Sequence, residues 1–133
     1  MPEKLQSAEE HHEELMKRLY DQMKPILDKS KQPMFIYLDD NHKACNSKFA
    51  SLLGFKSPAD WAKIEGVLDP FVMEKSRETV TTAYWDAMNK MKASTVQLTF
   101  KKKSGEQVEA TMILVPMFFQ GHMFAVHFIT ATK

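Results

Sequence analysis

The chain has 133 residues, 44% of them hydrophobic and 26% charged, and its net charge is +1. This is the length of one domain with an ordinary globular balance, which argues against nucleic acid as the main partner. No apolar run approaches the roughly 20 residues of a membrane-spanning helix.

The start, MPEKLQSAEEHHEEL, is polar and acidic, neither a signal peptide nor an Arg-rich transit peptide. With a single cysteine, Cys45, it points to a reducing, cytoplasmic setting. Residues 7–29 are predicted to be a helix, opened by a capping box of Ser7 and Glu10. Leu5, Ala8, His12, Leu15, Leu19, Met23 and Ile26 are spaced by threes and fours, the pattern of a strongly amphipathic helix or a coiled-coil seam. Pro25 removes a backbone donor and crowds the turn before it, so a kink or break is expected near Lys24. HHEEL places two histidines side by side rather than four apart, and therefore reads as a solvated face and not a metal box. Residues 1–29 form a first unit, a capping or dimerisation helix, and residues 30–133 the domain proper.

From Pro33 the pattern becomes extended. MFIYLDDNHKACN reads as a hairpin turning at DDNH. In CNSKFASLLGF, Phe49, Leu52, Leu53 and Phe55 arrive at helical spacing, with Asn46 before them and Gly54 after. Asn46 is expected to cap this short helix through its side chain, and Gly54 to end it in a left-handed conformation. SPADWAKI begins another short helix, with Ser57 at the cap and Pro58 at the first helical position. Residues 71–92 are predicted to be a long helix whose apolar face is Met73, Arg77, Val80, Tyr84, Ala87, Met88 and Met91.

Three strands follow, joined by turns at KSGE and FQGH; the basic run KKK at 101–103 flanks the first of these turns. Val96, Leu98 and Phe100 alternate with polar residues, but then the alternation fails. Ala110, Met112 and Leu114 lie on one face of the next strand while Ile113 and Val115 are apolar on the other. The last strand repeats this, with Met123 and Ala125 against Phe124, Val126 and Phe128. Strands apolar on both faces are covered on both faces. The middle helices cover one side, and the N-terminal helix, from this chain or from a second copy, is expected on the other. Leu15, Leu19, Met23, Ile113, Val115 and Phe124 are therefore the expected contacts of a homodimer. Ten methionines fit a Met-rich interior.

The order of these parts resembles the PAS domain over residues 30–131. FIYLDDNHKACN is similar to the family's first hairpin, NSKFASLLGF to the helix after it, and FKKKSGEQVEATMILVP to the hairpin of basic strand, Gly turn and long strand. FIT stands where many members carry Asp-Ile-Thr, with Phe128 in place of the Asp. The resemblance implies an α+β fold: a five-stranded antiparallel sheet with short helices and one long helix on one face. The N-terminal amphipathic helix then takes the other face. The resemblance also implies a stand-alone sensor or interaction module. The chain ends at Lys133, directly after the last strand, so output is expected to pass through protein contacts, as a homodimer or with a signalling partner.

Many PAS domains hold a ligand between the sheet and the long helix. That implies a pocket lined by Val80, Tyr84, Met88, Leu98, Met112, Leu114 and His127, unless side chains fill the space completely and the module is a ligand-free adaptor. Flavin of the photosensor type is not expected, because AKIEGVLDPFVMEK lacks the family cysteine. Heme is not expected either, because residues 71–92 contain no histidine. No triad, glycine-rich phosphate loop or zinc pattern is visible, and nothing in the sequence requires an enzyme. The alternative is a cone-shaped α+β enzyme acting on a small apolar substrate, with His127 paired to Tyr84 or Glu109.

Overall fold

Alternation fails in the last strands because the sheet is sandwiched. The computed structural model describes the backbone of residues 2–132 and the side chains of residues 10–132. Its elements run α1 (Pro2–Lys29), β1 (Met34–Asp39), β2 (His42–Cys45), α2 (Ser47–Leu52), α3 (Pro58–Ala62), α4 (Leu68–Phe71), α5 (Glu74–Lys90), β3 (Ser94–Lys101), β4 (Gln107–Phe119) and β5 (His122–Ala131). The sheet is antiparallel with strand order β2-β1-β5-β4-β3, so the first hairpin joins the last strand at the centre.

Register assigns the faces. Phe35 pairs with His127, Leu114 with His127, and Met112 with Ile129, and these residues look toward α2–α5. Around them lies the larger core, with Phe49, Leu53, Trp61, Phe71, Val80, Ala83, Ala87, Leu98 and Phe100 all buried. The alternate residues Met34, Ile36, Phe124 and Val126 look the other way, into a second core closed by Leu15, Met16, Leu19 and Leu27 of α1. Burying each of those three leucines contributes roughly 2 kcal/mol, which offsets the ordering of the helix.

Helix α1 differs from expectation in three ways. It begins at Pro2, so position 7 lies within the helix and not at its start, and the side chain of Ser7 is outside the described residues. The side chains of Leu5 and Ala8 lie outside the described residues. The helix also runs through Pro25 to Lys29 without breaking, because Pro25 and Asp21, the residue whose carbonyl loses its partner, are exposed and water can satisfy it. Finally, the buried row is Leu15, Leu19, Leu27 with Met23 half-buried, a four-residue ridge, while Ile26 is 54% exposed.

Helix α5 starts at Glu74 rather than residue 71; α4 and an isolated bridge between Val72 and Phe100 occupy the intervening chain. Its inward face is Val80, Ala83 and Ala87, with Tyr84 and Met88 half-buried. Met91 is 61% exposed and ends the helix in a left-handed conformation, so it does not belong to that face.

Asn46 caps α2 as expected, its Oδ1 accepting from the Phe49 N–H at 3.0 Å. The same oxygen accepts from the Met34 N–H at 3.1 Å, while Nδ2 donates to the carbonyls of Gln32 at 2.9 Å and Leu27 at 3.2 Å. One buried amide thus uses its full hydrogen-bonding capacity and ties together α1, the connection after it, β1 and α2. Gly54, at φ +88°, supplies the left-handed turn after α2, with the Phe55 N–H reaching back to the Ala50 carbonyl at 2.8 Å.

Candidate functional site

A cavity of about 540 Å³ remains between helix α5 and the sheet. Phe35 and Tyr37 of β1, Leu98 and Phe100 of β3, Met112 of β4 and His127 of β5 form its floor. Val80, Thr81 and Tyr84 of α5 form the roof. The third wall is the chain 65–70, which runs into α4, with Val72.

That wall is held by hydrogen bonds from the backbone and side chains around it. The Gly66 N–H donates to the Asp40 carbonyl at 3.0 Å, and the Met73 N–H to the Thr99 carbonyl at 2.9 Å. Arg77 Nε donates to the Val72 carbonyl at 3.1 Å. Lys43, buried on β2, donates through Nζ to the carbonyls of Asp40 (3.2 Å), Ala62 (3.3 Å) and Ile64, and sits 5.3 Å from the Trp61 ring centroid. Burial lowers its pKa, with nearby Asp40 and Asp39 pulling the other way.

The polar groups of the cavity are few. Tyr37 donates its hydroxyl to Asp40 Oδ1 at 2.6 Å, and its ring meets that of Tyr84 edge-on at 5.4 Å. Burial, then Asp40, pushes the Tyr37 pKa up; burial does the same for Tyr84. His127 stacks on Phe35 with centroids 3.8 Å apart and planes within 6°. Its Nδ1 lies 3.3 Å from the Phe35 carbonyl. Burial pushes its pKa down to about 3, partly offset by the carbonyls of Phe35 and Ala125, so it is a neutral ring at ordinary pH. Three carboxylates, Asp40, Glu65 and Asp69, stand among the lining residues, with no lysine or arginine. Such a lining repels anions and accepts neutral or cationic groups.

Of the pocket residues expected from sequence, the cavity gathers Val80, Tyr84, Leu98, Met112 and His127. Leu114 is fully buried in the core, and Met88 packs half-buried against it; neither lines the cavity. Phe35, Tyr37, Asp40 and the 65–70 wall were not expected. The parity of Phe35 and Tyr37 along the first strand was the available signal for two of them. His127 and Tyr84 share the cavity, whereas Glu109 is exposed on the strand face opposite to it.

The expected interface residues fare differently. Leu15, Leu19 and Phe124 are no more than 2% exposed and pack within one chain, so the reading of them as surface contacts is corrected. Met23 and Val115 are half-buried, and Ile113 is 42% exposed. Cys45 is buried in the main core, and burial pushes its thiol up to about 12. His12 is not merely solvated: its Nδ1 lies 2.9 Å from Asp39 Oδ2, while His42 Nδ1 lies 2.7 Å from Asp39 Oδ1.

No protein-family model matches the chain, and no curated protein matches it in sequence. Solved structures do. A PAS domain from a two-component sensor histidine kinase superposes with a TM-score of 0.65 at 12% identity, over 87% of this chain and 98% of that one. The PAS domain of an HTR-like protein from Haloarcula marismortui gives 0.64 at 11%, over 92% and 98%. The Rhodobacter sphaeroides LOV protein gives 0.69 at 10%, over 88% and 68%. The fold is that of the PAS domain and not the cone-shaped alternative. Among the described residues no helix is long and apolar enough to cross a membrane.

Proposed function

We propose that this chain is a PAS-fold sensor and signalling module, not an enzyme, and that its input is a small molecule held between the sheet and α5. The observation that carries this is the cavity of about 540 Å³, mainly apolar, with Tyr37, Thr81, Tyr84, His127 and three carboxylates as its polar side chains. Its size and composition are those of small-molecule sites. The absence of a lysine or arginine among the lining residues favours an uncharged or amine-bearing ligand with mainly apolar surface and argues against phosphate or carboxylate. Native mass spectrometry of the freshly purified, untagged chain tests this. A retained compound at one per chain, absent from a cavity-filling Val80→Phe variant, supports the reading; an unliganded mass together with no response to neutral or amine compounds contradicts it.

The output element in this reading is α1, which lies against the back of the strands that floor the cavity. Phe35 and Tyr37 touch the cavity, while Met34 and Ile36, which alternate with them, meet the layer closed by α1. A ligand that shifts β1 is therefore felt by the helix. The homodimer belongs to the same proposal, with its contact moved. Because Leu15 and Leu19 are used within one chain, the meeting of two copies falls to the exposed Ile113, with the half-buried Val115 and Met23.

A further inference from the structure

Four of the chain's five histidines meet at one place; the fifth, His127, lines the cavity. His11 and His12 come from α1, His42 from β2 and His122 from β5. The His12 ring lies 5.8 Å from His42 and 5.3 Å from His122 between centroids, both edge-on, and His11 lies 5.1 Å from His122. Asp39, at the end of β1, stands between His12 and His42 at 2.9 and 2.7 Å. One donor atom from each of His12, Asp39 and His42 lies within 4.8 Å of the other two.

The Asn41 N–H donates to Asp39 Oδ1 at 2.9 Å, and the ring nitrogens of His42 and His12 lie against its two oxygens. Asp39 is therefore an anionic oxygen donor with imidazoles on either side. Charged imidazolium rings this close repel one another; neutral rings bring nitrogen lone pairs toward a common point.

We propose that His12, Asp39 and His42 bind one divalent transition-metal ion of the zinc class, with His122 as the fourth ligand. Zinc takes imidazole nitrogen and carboxylate oxygen at about 2.0–2.1 Å in a tetrahedron, whose edges are then about 3.3 Å. The Nδ1–Oδ pairs, now 2.7 and 2.9 Å apart, need to open by about half an ångström. The proton on each Nδ1 moves to Nε2 by tautomer exchange, so the neutral ring is conserved. His122 Nδ1 lies 3.4 Å from the Gln120 carbonyl, which can only accept; this leaves Nε2 with the lone pair. A set of three imidazoles and one carboxylate does not suit calcium or magnesium, which take mostly oxygen.

The site has a structural consequence. Its ligands come from α1, from the β1–β2 hairpin and from β5, so the ion ties the helix to the sheet it covers. This does not depend on the cavity holding a ligand.

The test uses the untagged full chain, stripped with chelator and titrated with zinc chloride by calorimetry, with Co²⁺ as a spectroscopic probe. The expected result is one zinc per chain, a raised melting temperature, and the visible bands of tetrahedral Co²⁺. His12→Gln and Asp39→Asn each weaken zinc binding by at least about tenfold. His12 is half-buried on the helix, so the His12→Gln arm holds even where Asp39→Asn fails to fold. Non-integral, weak uptake unaffected by either substitution, or Co²⁺ without those bands, is surface-histidine binding only and overturns the proposal.

Discussion

The Asn46 side chain donates to the Leu27 carbonyl across 3.2 Å, joining the end of α1 to the joint between β2 and α2. Because the same amide also serves Gln32, Met34 and Phe49, its loss strips the Leu27 carbonyl and two N–H groups of this partner together, while the Gln32 carbonyl keeps the Ser30 hydroxyl. Asn46→Ala is expected to destabilise the fold by about 3 kcal/mol or more, seen as a shifted urea midpoint. Asn46→Asp keeps the acceptor but turns a carboxylate toward two carbonyls, and is expected to cost at least as much. A midpoint within error of wild type for both would remove this joint from the account.

His127 gives the fold a pH dependence with a definite sign. Burial holds its pKa down at about 3 in the folded chain; unfolded, it returns to the ordinary imidazole value of about 6.5. Below that value the unfolded chain binds a proton that the folded chain refuses. The contribution is complete above pH 6.5 and is lost as pH falls toward 3. The slope is about 1.4 kcal/mol per pH unit. In His127→Gln this component disappears, so urea melts between about pH 6 and pH 4.5 should show a shallower slope than wild type. Parallel slopes would place His127 in a more hydrated site.

Cys45 tests the core. A thiol 1% exposed, its pKa raised to about 12 by burial, is not a thiolate and is not reachable. Aromatic disulfide reagents should leave it unmodified in the folded chain and label it fully in guanidinium. Rapid labelling of folded protein would mean that β2 opens far more readily than its packing allows.

Val80→Phe places an extra ring where the cavity is, so it should be accommodated within about 1 kcal/mol instead of the larger penalty of overpacking a filled core. A loss of several kcal/mol would show that the space is closed to side chains.

Ile113 tests the dimer. Replacing this 42% exposed residue with Asp should convert dimers to monomers in sedimentation while leaving the melting temperature nearly unchanged. A wild-type chain that is monomeric at high concentration would dispose of the proposal.

The sequence carried the two-faced sheet clearly, because Ile113, Val115, Phe124 and Val126 break the alternation in the strands themselves, and it implied a cover for which α1 was the candidate. It also carried the cap at Asn46, a local relation between neighbours. The bonds from Asn46 to Leu27 and Gln32 were not legible, since they depend on how α1 docks. In the same way, parity found Leu98 and Met112 in the cavity floor, but the 65–70 wall has no periodicity to read. The histidines were hidden for another reason. His12, His42 and His122 are separated by most of the chain; the sheet order β1-β5 brings the turns of His42 and His122 together, and the docking of α1 adds His12. The assignment of Leu15 and Leu19 to a dimer failed because an amphipathic stripe does not say whose surface it meets.

Hydrogen exchange along α1 is the most direct test of the layered arrangement on which the rest depends. If the helix is an integral layer, amides across residues 15–27 should exchange slowly, with protection approaching that of β5, and Asn46→Ala should release them before the sheet opens. Exchange of those amides at the rate of unstructured chain, with β1 and β5 still protected, would contradict the account.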